Sequence, residues 1–311
     1  MRPAGSILLL TTLSGFGFGL LAWTGGYVCL GLLPGPTRLA LAGVALGLLL
    51  VSVGLGASVL HLGRKARAWR AFSQWRSSWL SREGVGGVLT YPIAGLFMAA
   101  LRMHSGGLLT RSMGGAVVAV SLVTVFCTAM VYASLKPIRQ WHNSHTAPDY
   151  LIYALFSGAL LFALLRIVFV GRPGATDFIA AAVAAVAMLA KGAYWRHVDA
   201  QTPLAGLAAA IGLPKDAQAR PLDAPHFTEN YVLREMGFAI ARRHGAKLRR
   251  LALVLGFAAP SGLALLAGLG VVPLAATVVA LACASLGLLT ERWLFFAQAT
   301  HVSALYYGRS I

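Results

Sequence analysis

The chain has 311 residues, of which 58% are hydrophobic and 11% are charged, and its mean hydropathy is +0.74. A soluble domain typically carries about 25% charged residues, so this composition excludes an ordinary soluble enzyme. It predicts an all-α, multi-pass integral membrane protein whose helices satisfy their own backbone groups. The formal net charge is +17, but the basic residues flank apolar segments and form no compact nucleic-acid-binding module. The charge therefore favours a lipid membrane and an acidic protein partner over nucleic acid.

Eight apolar segments are long enough to cross a hydrocarbon core of roughly 30 Å. We predict spans at residues 5–33, 39–62, 84–101, 113–135, 149–170, 176–197, 249–270 and 273–298. The first apolar run is too long for a signal peptide and has no convincing cleavage site, so we interpret it as a span. Because spans seven and eight are nearly continuous, Gly270 to Pro273 must form a tight turn. The protein is thus predicted to be one membrane domain, residues 1–311, built as a bundle of eight transmembrane helices.

An even number of spans places both termini on one side of the membrane, which we call side A. The loops at 63–82, 136–148 and 198–248 lie on the same side, and the opposite side is called side B. Side A carries 21 of the 26 Lys and Arg residues and side B carries 5, so the positive-inside rule predicts that side A is cytoplasmic. The long side-A loop, 198–248, runs into a basic amphipathic segment suited to lipid headgroups or to a partner subunit.

The segment from Ser58 to Gly87 combines ionisable and basic residues at one membrane edge. His61 ends span two and Glu83 begins span three, so both lie on side A. Histidine titrates near neutral pH and a carboxyl group can exchange protons, so this pair indicates proton transfer at a quinone site. The alternative for His61 is a histidine at a helix end that is hydrogen-bonded to a carbonyl group. The alternative for Glu83 is an ordinary acid at a helix N-terminus, stabilised by the helix dipole or by an ion pair with Arg82. The basic residues of the loop between them are Arg64, Lys65, Arg67, Arg70, Arg76 and Arg82.

Further polar residues end spans six and eight on side A. We interpret Glu291 and Arg292 as an ion pair, and expect it to contribute to a quinone pocket. The full set of residues predicted to line that pocket is Arg82, Lys191, Tyr194, Glu291 and Arg292. The three cysteines form no CxxC pattern, so we expect no metal or iron–sulfur site in this protein. A haem held by His61, His197 or His301 is disfavoured, since His61 alone is close to a span interior.

Three segments carry a resemblance to a known family. They are HLGRKARAWRAFSQWRSSWLSRE at 61–83, FTENYVLREMGFAIARRHGAKLRR at 227–250 and ERWLFFAQ at 291–298. The protein resembles the membrane-anchor subunit of dimethyl sulfoxide reductase-type molybdoenzymes. The resemblance implies a bacterial inner-membrane complex in which the catalytic subunit holds a molybdenum cofactor and a ferredoxin-like subunit holds iron–sulfur clusters. It also implies that the anchor exchanges electrons with a quinone, either ubiquinone or menaquinone, and that His61 and Glu83 match the family's quinol-site histidine and glutamate.

One feature departs from the dimethyl sulfoxide reductases, whose soluble subunits lie in the periplasm. The basic side A is predicted to be cytoplasmic, which is more similar to the sulfite dehydrogenases of the family. We therefore expect quinone reduction coupled to sulfite oxidation, with the iron–sulfur subunit docked on Arg64, Lys65, Arg67, Arg70, Arg76, Arg242 and Arg243. The alternatives are an anchor of a quinol-oxidising dimethyl sulfoxide-type reductase, a structural anchor without a quinone site and a secondary transporter. A transporter would favour polar groups at mid-membrane, whereas the ionisable groups here gather at the edges.

Overall fold

The structure is a computed structural model that describes residues 3–60, 65–104, 106–201, 208, 211–214, 219 and 244–302, with residues 60 and 65–68 described through the backbone only. Within these residues, eight helices are long and apolar enough to cross a membrane. They are α1 (Gly5–Cys29), α2 (Thr37–Leu60), α3 (Trp79–Met103), α4 (Leu108–Ala133), α5 (Thr146–Val170), α6 (Ala175–Asp199), α7 (Gly245–Gly268) and α8 (Pro273–Ala297). The predicted fold is confirmed: the protein is a multi-pass integral membrane protein with eight spans.

Helix α3 begins earlier than the sequence predicts. Ser78 is its N-cap residue, and the Ser78 hydroxyl accepts a hydrogen bond from the backbone N–H of Ser81 at 3.5 Å. Capping of this kind satisfies one of the backbone donors that a helix start leaves free. The prediction that span three starts at residue 84 was wrong, because Arg82 and Glu83 lowered the apparent hydrophobicity of the first turns. Glu83 consequently lies inside the helix and is buried.

Helix α7 changes its hydrogen-bonding pattern near mid-span. It is α-helical at Gly245–Leu253, π-helical at Val254–Ala258 and α-helical again at Ala259–Gly268. The turn that follows contains Gly270, whose φ of 84° lies in the left-handed region that glycine adopts without steric cost. Helix α8 then begins at Pro273, so the predicted tight turn between the last two spans is confirmed.

Helix α1 lies at the centre of the bundle, where it packs against α2, α4 and α5. A Cβ atom added to Gly158 of α5 would overlap the backbone of α1 at Gly19, so the two helices can approach only because both residues are glycines. Close packing through small residues is a common way for transmembrane helices to associate. Gly17, Gly19 and Gly54 each face a neighbouring helix at short distance.

The eight helices alternate in direction, so side A collects the first turns of the odd-numbered helices and the last turns of the even-numbered ones. The end of α2 and the start of α3 therefore meet at the same edge, as predicted. Most of the side-A loop at 198–248 lies outside the described residues, and its amphipathic segment stays a prediction. The described part of this segment is the beginning of α7, from Gly245 to Arg250.

Candidate functional site

Glu83 is a buried carboxyl group near the side-A end of the bundle, with 6% of its surface exposed. The hydroxyl of Thr128 on α4 donates a hydrogen bond to Glu83 Oε1 at 2.9 Å, and Thr128 Oγ1 also lies 3.1 Å from the carbonyl oxygen of Thr124. Among the described residues, no Lys or Arg side chain lies within ion-pair distance of Glu83. Its partner is a hydroxyl group that can both donate and accept, which suits a group that exchanges protons.

Arg82, the neighbour of Glu83 in sequence, has a different set of contacts. Its guanidinium donates hydrogen bonds to the carbonyl oxygens of Trp75 and Arg76, at 3.0 and 2.7 Å. It also lies over the ring of Trp79, 4.2 Å from the ring centroid. These contacts hold the 73–78 loop against the start of α3, so Arg82 acts on the loop and does not neutralise Glu83.

Two basic residues and one acid form a buried cluster between α6 and α8. Lys191 Nζ lies 2.5 Å from Glu291 Oε1, and Arg292 Nε lies 2.5 Å from Glu291 Oε2. Lys191 and Glu291 are both fully buried, and Arg292 is 4% exposed. The Glu291–Arg292 ion pair that the sequence predicts is present. Sequence reasoning missed the contact of Lys191 with the same carboxylate, because the two residues lie on different helices.

Aromatic rings enclose the two cations of this cluster. Lys191 Nζ is 3.7 Å from the ring centroid of Tyr194, and Arg292 Cζ is 4.1 Å from that of Tyr150. Ring faces attract cations, most strongly where water is excluded. The hydroxyl of Tyr194 donates to the carbonyl oxygen of Gln140 at 3.0 Å, which ties the end of α6 to the loop before α5.

A small cavity of about 30 Å³ lies between Thr128 and Arg292. Its walls come from α1, α4, α5 and α8, and its polar members are Thr11, Thr12, Ser14, Thr128, Tyr150, Tyr153, Ser157 and Arg292. Thr128 connects this cavity to Glu83, and Arg292 connects it to the buried ion cluster. Of the residues predicted to line a pocket, Arg292 lines this one, whereas Arg82, Lys191, Tyr194 and Glu291 do not. The hydroxyl-bearing residues carry little signal in the sequence, since Thr, Ser and Tyr are common in transmembrane helices.

Asp149 is a further buried acid that sequence reasoning left unassigned. It lies in the first turn of α5 and is 3% exposed. The hydroxyl of Tyr153 donates to Asp149 Oδ2 at 3.5 Å, and Asp149 interacts electrostatically with Lys191, Glu291 and Arg292. An acid at a helix start would ordinarily be read as a solvated residue that favours the helix dipole, which is why the sequence did not single it out.

Several residues predicted to bind the quinone or the partner lie outside the described part of the protein: His61, Arg64, Arg242 and Arg243, together with the side chains of Lys65 and Arg67. Their predicted roles in quinone binding and partner docking stay predictions. Arg70 and Arg76 are described and exposed, on the loop between α2 and α3. Each lies near an exposed tryptophan: Arg70 Cζ is 5.6 Å from the ring centroid of Trp69, and Arg76 Cζ is 5.3 Å from that of Trp75. The basic loop thus also exposes large aromatic surface at side A.

The fold and the site together define a class of membrane protein: an eight-helix bundle in which most of the buried ionisable groups of the described residues lie at one membrane side, beneath a basic loop. The family model for the DMSO reductase anchor subunit, DmsC, matches residues 36–305 of the protein. The protein therefore belongs to the DmsC family of membrane-anchor subunits.

Relatives of two kinds are similar to this protein. The C subunit of the sulfite dehydrogenase of Allochromatium vinosum is 34% identical, over 99% of each of the two sequences. The anaerobic dimethyl sulfoxide reductase chain YnfH of Escherichia coli is 27% identical, over 45% of the present sequence and 51% of its own length. A further anaerobic dimethyl sulfoxide reductase chain from the same organism is 26% identical, over 46% of the present sequence and 50% of its own length. The full-length similarity is thus to a sulfite dehydrogenase subunit.

Proposed function

We propose that the protein is the quinone-reactive anchor of a three-subunit iron–sulfur molybdoenzyme that oxidises sulfite and reduces the quinone pool. The observation that carries the proposal is the buried Glu83 carboxyl group, hydrogen-bonded to Thr128 beside a small cavity at the side-A end of the bundle. Full-length similarity to a sulfite dehydrogenase subunit supports sulfite as the electron donor. The molybdenum cofactor and the iron–sulfur clusters belong to the partner subunits.

The proposed reaction balances in electrons and protons. On the catalytic subunit, sulfite and water give sulfate, two electrons and two protons. The electrons pass through the iron–sulfur subunit to a quinone, which takes up two electrons and two protons to become a quinol. Because electrons must tunnel from the partner cluster, the quinone head binds near side A. Glu83, near the start of α3, and His61, which follows α2 in the sequence, are proposed to bind the head and supply protons.

The basic loop is proposed to bind the iron–sulfur subunit. Arginine and tryptophan are enriched at protein interfaces, and Arg70, Arg76, Trp69 and Trp75 are exposed together on this loop. The remaining members of the proposed docking surface, taken from the sequence alone, are Arg64, Lys65, Arg67, Arg242 and Arg243. Since side A carries most of the basic residues, the docking surface and the partner subunits are placed in the cytoplasm.

The test compares the purified complex carrying Glu83→Gln with the unmodified complex. Two activities are measured: sulfite-dependent reduction of a short-chain quinone, and sulfite-dependent reduction of ferricyanide, which accepts electrons from the soluble subunits. We expect quinone reduction to fall by about 100-fold, the usual effect of losing an acid–base group, with ferricyanide reduction unchanged. His61→Ala should behave in the same way.

Asp199→Asn is the matched control. Asp199 is an exposed side-A acid paired with Arg249, so its replacement should leave both activities intact. If Glu83→Gln and His61→Ala both reduce quinone at the unmodified rate, the proposed quinone role is wrong and a purely structural anchor takes its place.

The similarity to two dimethyl sulfoxide reductase proteins favours a second candidate, an anchor that oxidises quinol for a reductase. That reaction uses the same site in the opposite direction. The two candidates differ in the location of the catalytic subunit. A twin-arginine export signal on the co-purifying catalytic subunit would support the reductase and contradict the cytoplasmic placement of side A.

A further inference from the structure

Asp149 occupies the position that a proton-entry group would need. It is buried in the first turn of α5, so it lies close to the side-A surface without being solvated. Its hydrogen-bond donor, Tyr153, lies one turn further into the membrane and lines the small cavity. A buried carboxyl group and a tyrosine hydroxyl in contact form a pair through which a proton can pass from the surface to the cavity.

The cavity itself is large enough to hold water. Its volume of about 30 Å³ exceeds the roughly 10–15 Å³ that one water needs but is too small for a quinone ring. One residue that lines it, Thr12, carries a buried hydroxyl oxygen with no hydrogen-bond partner in the described part of the protein. A buried hydroxyl group without a hydrogen-bond partner is energetically unfavourable, so water bonded to it is favoured.

The far end of the cavity reaches Glu83. Thr128 lines the cavity and its hydroxyl is hydrogen-bonded to the Glu83 carboxyl group at 2.9 Å. A threonine hydroxyl can accept a proton from water on one side and release its own on the other. Tyr153 and Thr128 thus line the same cavity, and they contact Asp149 and Glu83, respectively.

We propose that Asp149, Tyr153, the hydrated cavity and Thr128 form a proton path that supplies Glu83 from side A. The inference rests on the proposed quinone role of Glu83. For each quinone reduced, two electrons come from the iron–sulfur partner and two protons are consumed. Each proton that Glu83 gives to the quinone is replaced by one from Thr128. Thr128 then takes a proton from the cavity water, the water takes one from Tyr153, and Tyr153 takes one from Asp149. Asp149 finally takes a proton from the side-A solution. Every relay group returns to its starting state.

The test uses three substitutions in the purified complex: Asp149→Asn, Tyr153→Phe and Thr128→Val. Each removes one relay group and nearly preserves its shape. We expect sulfite-dependent quinone turnover to fall by about 100-fold, the lower end of the effect of losing a proton-transfer group. The KM for the quinone should stay within about two-fold of the unmodified complex, because none of these groups is proposed to bind it. Ferricyanide reduction should be unaffected.

Matched controls carry the same chemical changes away from the path. Asp177→Asn replaces a buried aspartate at the side-B start of α6, and Tyr27→Phe replaces a tyrosine stacked on Phe162. Thr124→Val replaces a buried threonine one turn from Thr128, whose hydroxyl bonds the carbonyl of Val120. All three are expected to keep the quinone turnover of the unmodified complex.

Chemical rescue separates a relay from a structural role. Formate is a small weak acid that can carry protons into the gap left by Asp149→Asn, so it should restore at least part of the turnover of that variant. It should do nothing for Asp177→Asn. A loss of ferricyanide reduction in Asp149→Asn, or a failure of formate to restore quinone turnover, would overturn the path.

The outcome also distinguishes the two proposals. If Glu83→Gln is impaired while Asp149→Asn, Tyr153→Phe and Thr128→Val turn over normally, the path is wrong and the quinone role stands. If Glu83→Gln and His61→Ala have the quinone turnover of the unmodified complex, the proposed quinone role is wrong. The proton path, which depends on that role, is then wrong as well.

Discussion

At the scale of single residues, the side-A half of the bundle contains more charge than a membrane interior usually holds. Lys191, Glu291 and Arg292 are buried in mutual contact, and Asp149 interacts with all three. Moving a charge out of water costs several kcal/mol, which is recovered only through close partners. Glu291 is the residue on which this balance depends, because it contacts both cations.

We expect Glu291→Gln to lower the free energy of unfolding by about 3–5 kcal/mol, since it removes the one carboxylate that is in direct contact with both buried cations among the described residues. Lys191→Met removes a cation and leaves Glu291 paired with Arg292, so its effect should be smaller. The measurement is the thermal unfolding midpoint of the purified complex in detergent. Asp199→Asn breaks the exposed pair with Arg249 and should cost no more than about 1 kcal/mol. Equal midpoints for Glu291→Gln and Asp199→Asn would contradict this account.

The sequence predicted part of this chemistry, for reasons that particular residues make clear. Glu291 and Arg292 are adjacent in sequence, so their ion pair was predictable. Lys191 joins them only because α6 packs beside α8, and sequence alone does not specify which helices are neighbours. Thr128 and Tyr153 were missed because their role comes from the groups they contact, Glu83 and Asp149, and not from their residue type.

At the scale of helices, composition determined the number of spans, and small residues determine how closely they pack. Every apolar run predicted to span appears as a helix, but the start of α3 was displaced because Arg82 and Glu83 resemble a loop in a hydropathy profile. The packing partners were not predictable. The contact of Gly19 with Gly158 joins α1 to α5, and the sequence offers many other glycines that face open space instead.

Two glycines of similar appearance in the sequence should therefore respond in opposite ways to alanine. Gly158→Ala places a methyl group into the backbone of α1, and should destabilise the protein by about 1–3 kcal/mol, the usual cost of overpacking. Gly262→Ala on α7 meets no atom within 4 Å among the described residues, and should be neutral or slightly stabilising because alanine favours a helix. The measurement is the thermal unfolding midpoint of each variant in detergent. If Gly158→Ala is as stable as Gly262→Ala, the close approach of α1 and α5 is not required for stability.

At the scale of the whole molecule, the basic loops and the residues of the candidate site lie on the same side of the membrane. The basic loops, Glu83, the ion cluster and the entrance at Asp149 all lie at side A, where a partner cluster can deliver electrons and solvent can deliver protons. The sequence predicted this asymmetry from the distribution of Lys and Arg, because that signal needs only the order of spans. The shape of the cavity could not be predicted, since it depends on four helices at once.

The cytoplasmic placement of side A can be tested by cysteine labelling in cells, after Cys29, Cys127 and Cys283 have been replaced by alanine. Ser77→Cys places a thiol on the exposed side-A loop, and Leu269→Cys places one on the exposed side-B turn between α7 and α8. Because Lys and Arg near the ends of spans are retained in the cytoplasm, a membrane-impermeant maleimide should label Leu269→Cys in intact cells. It should label Ser77→Cys only after the inner membrane is permeabilised, and both thiols should react in the solubilised protein. The reverse pattern would place the docking surface in the periplasm, and the protein would then fit a quinol-oxidising reductase better than a sulfite dehydrogenase.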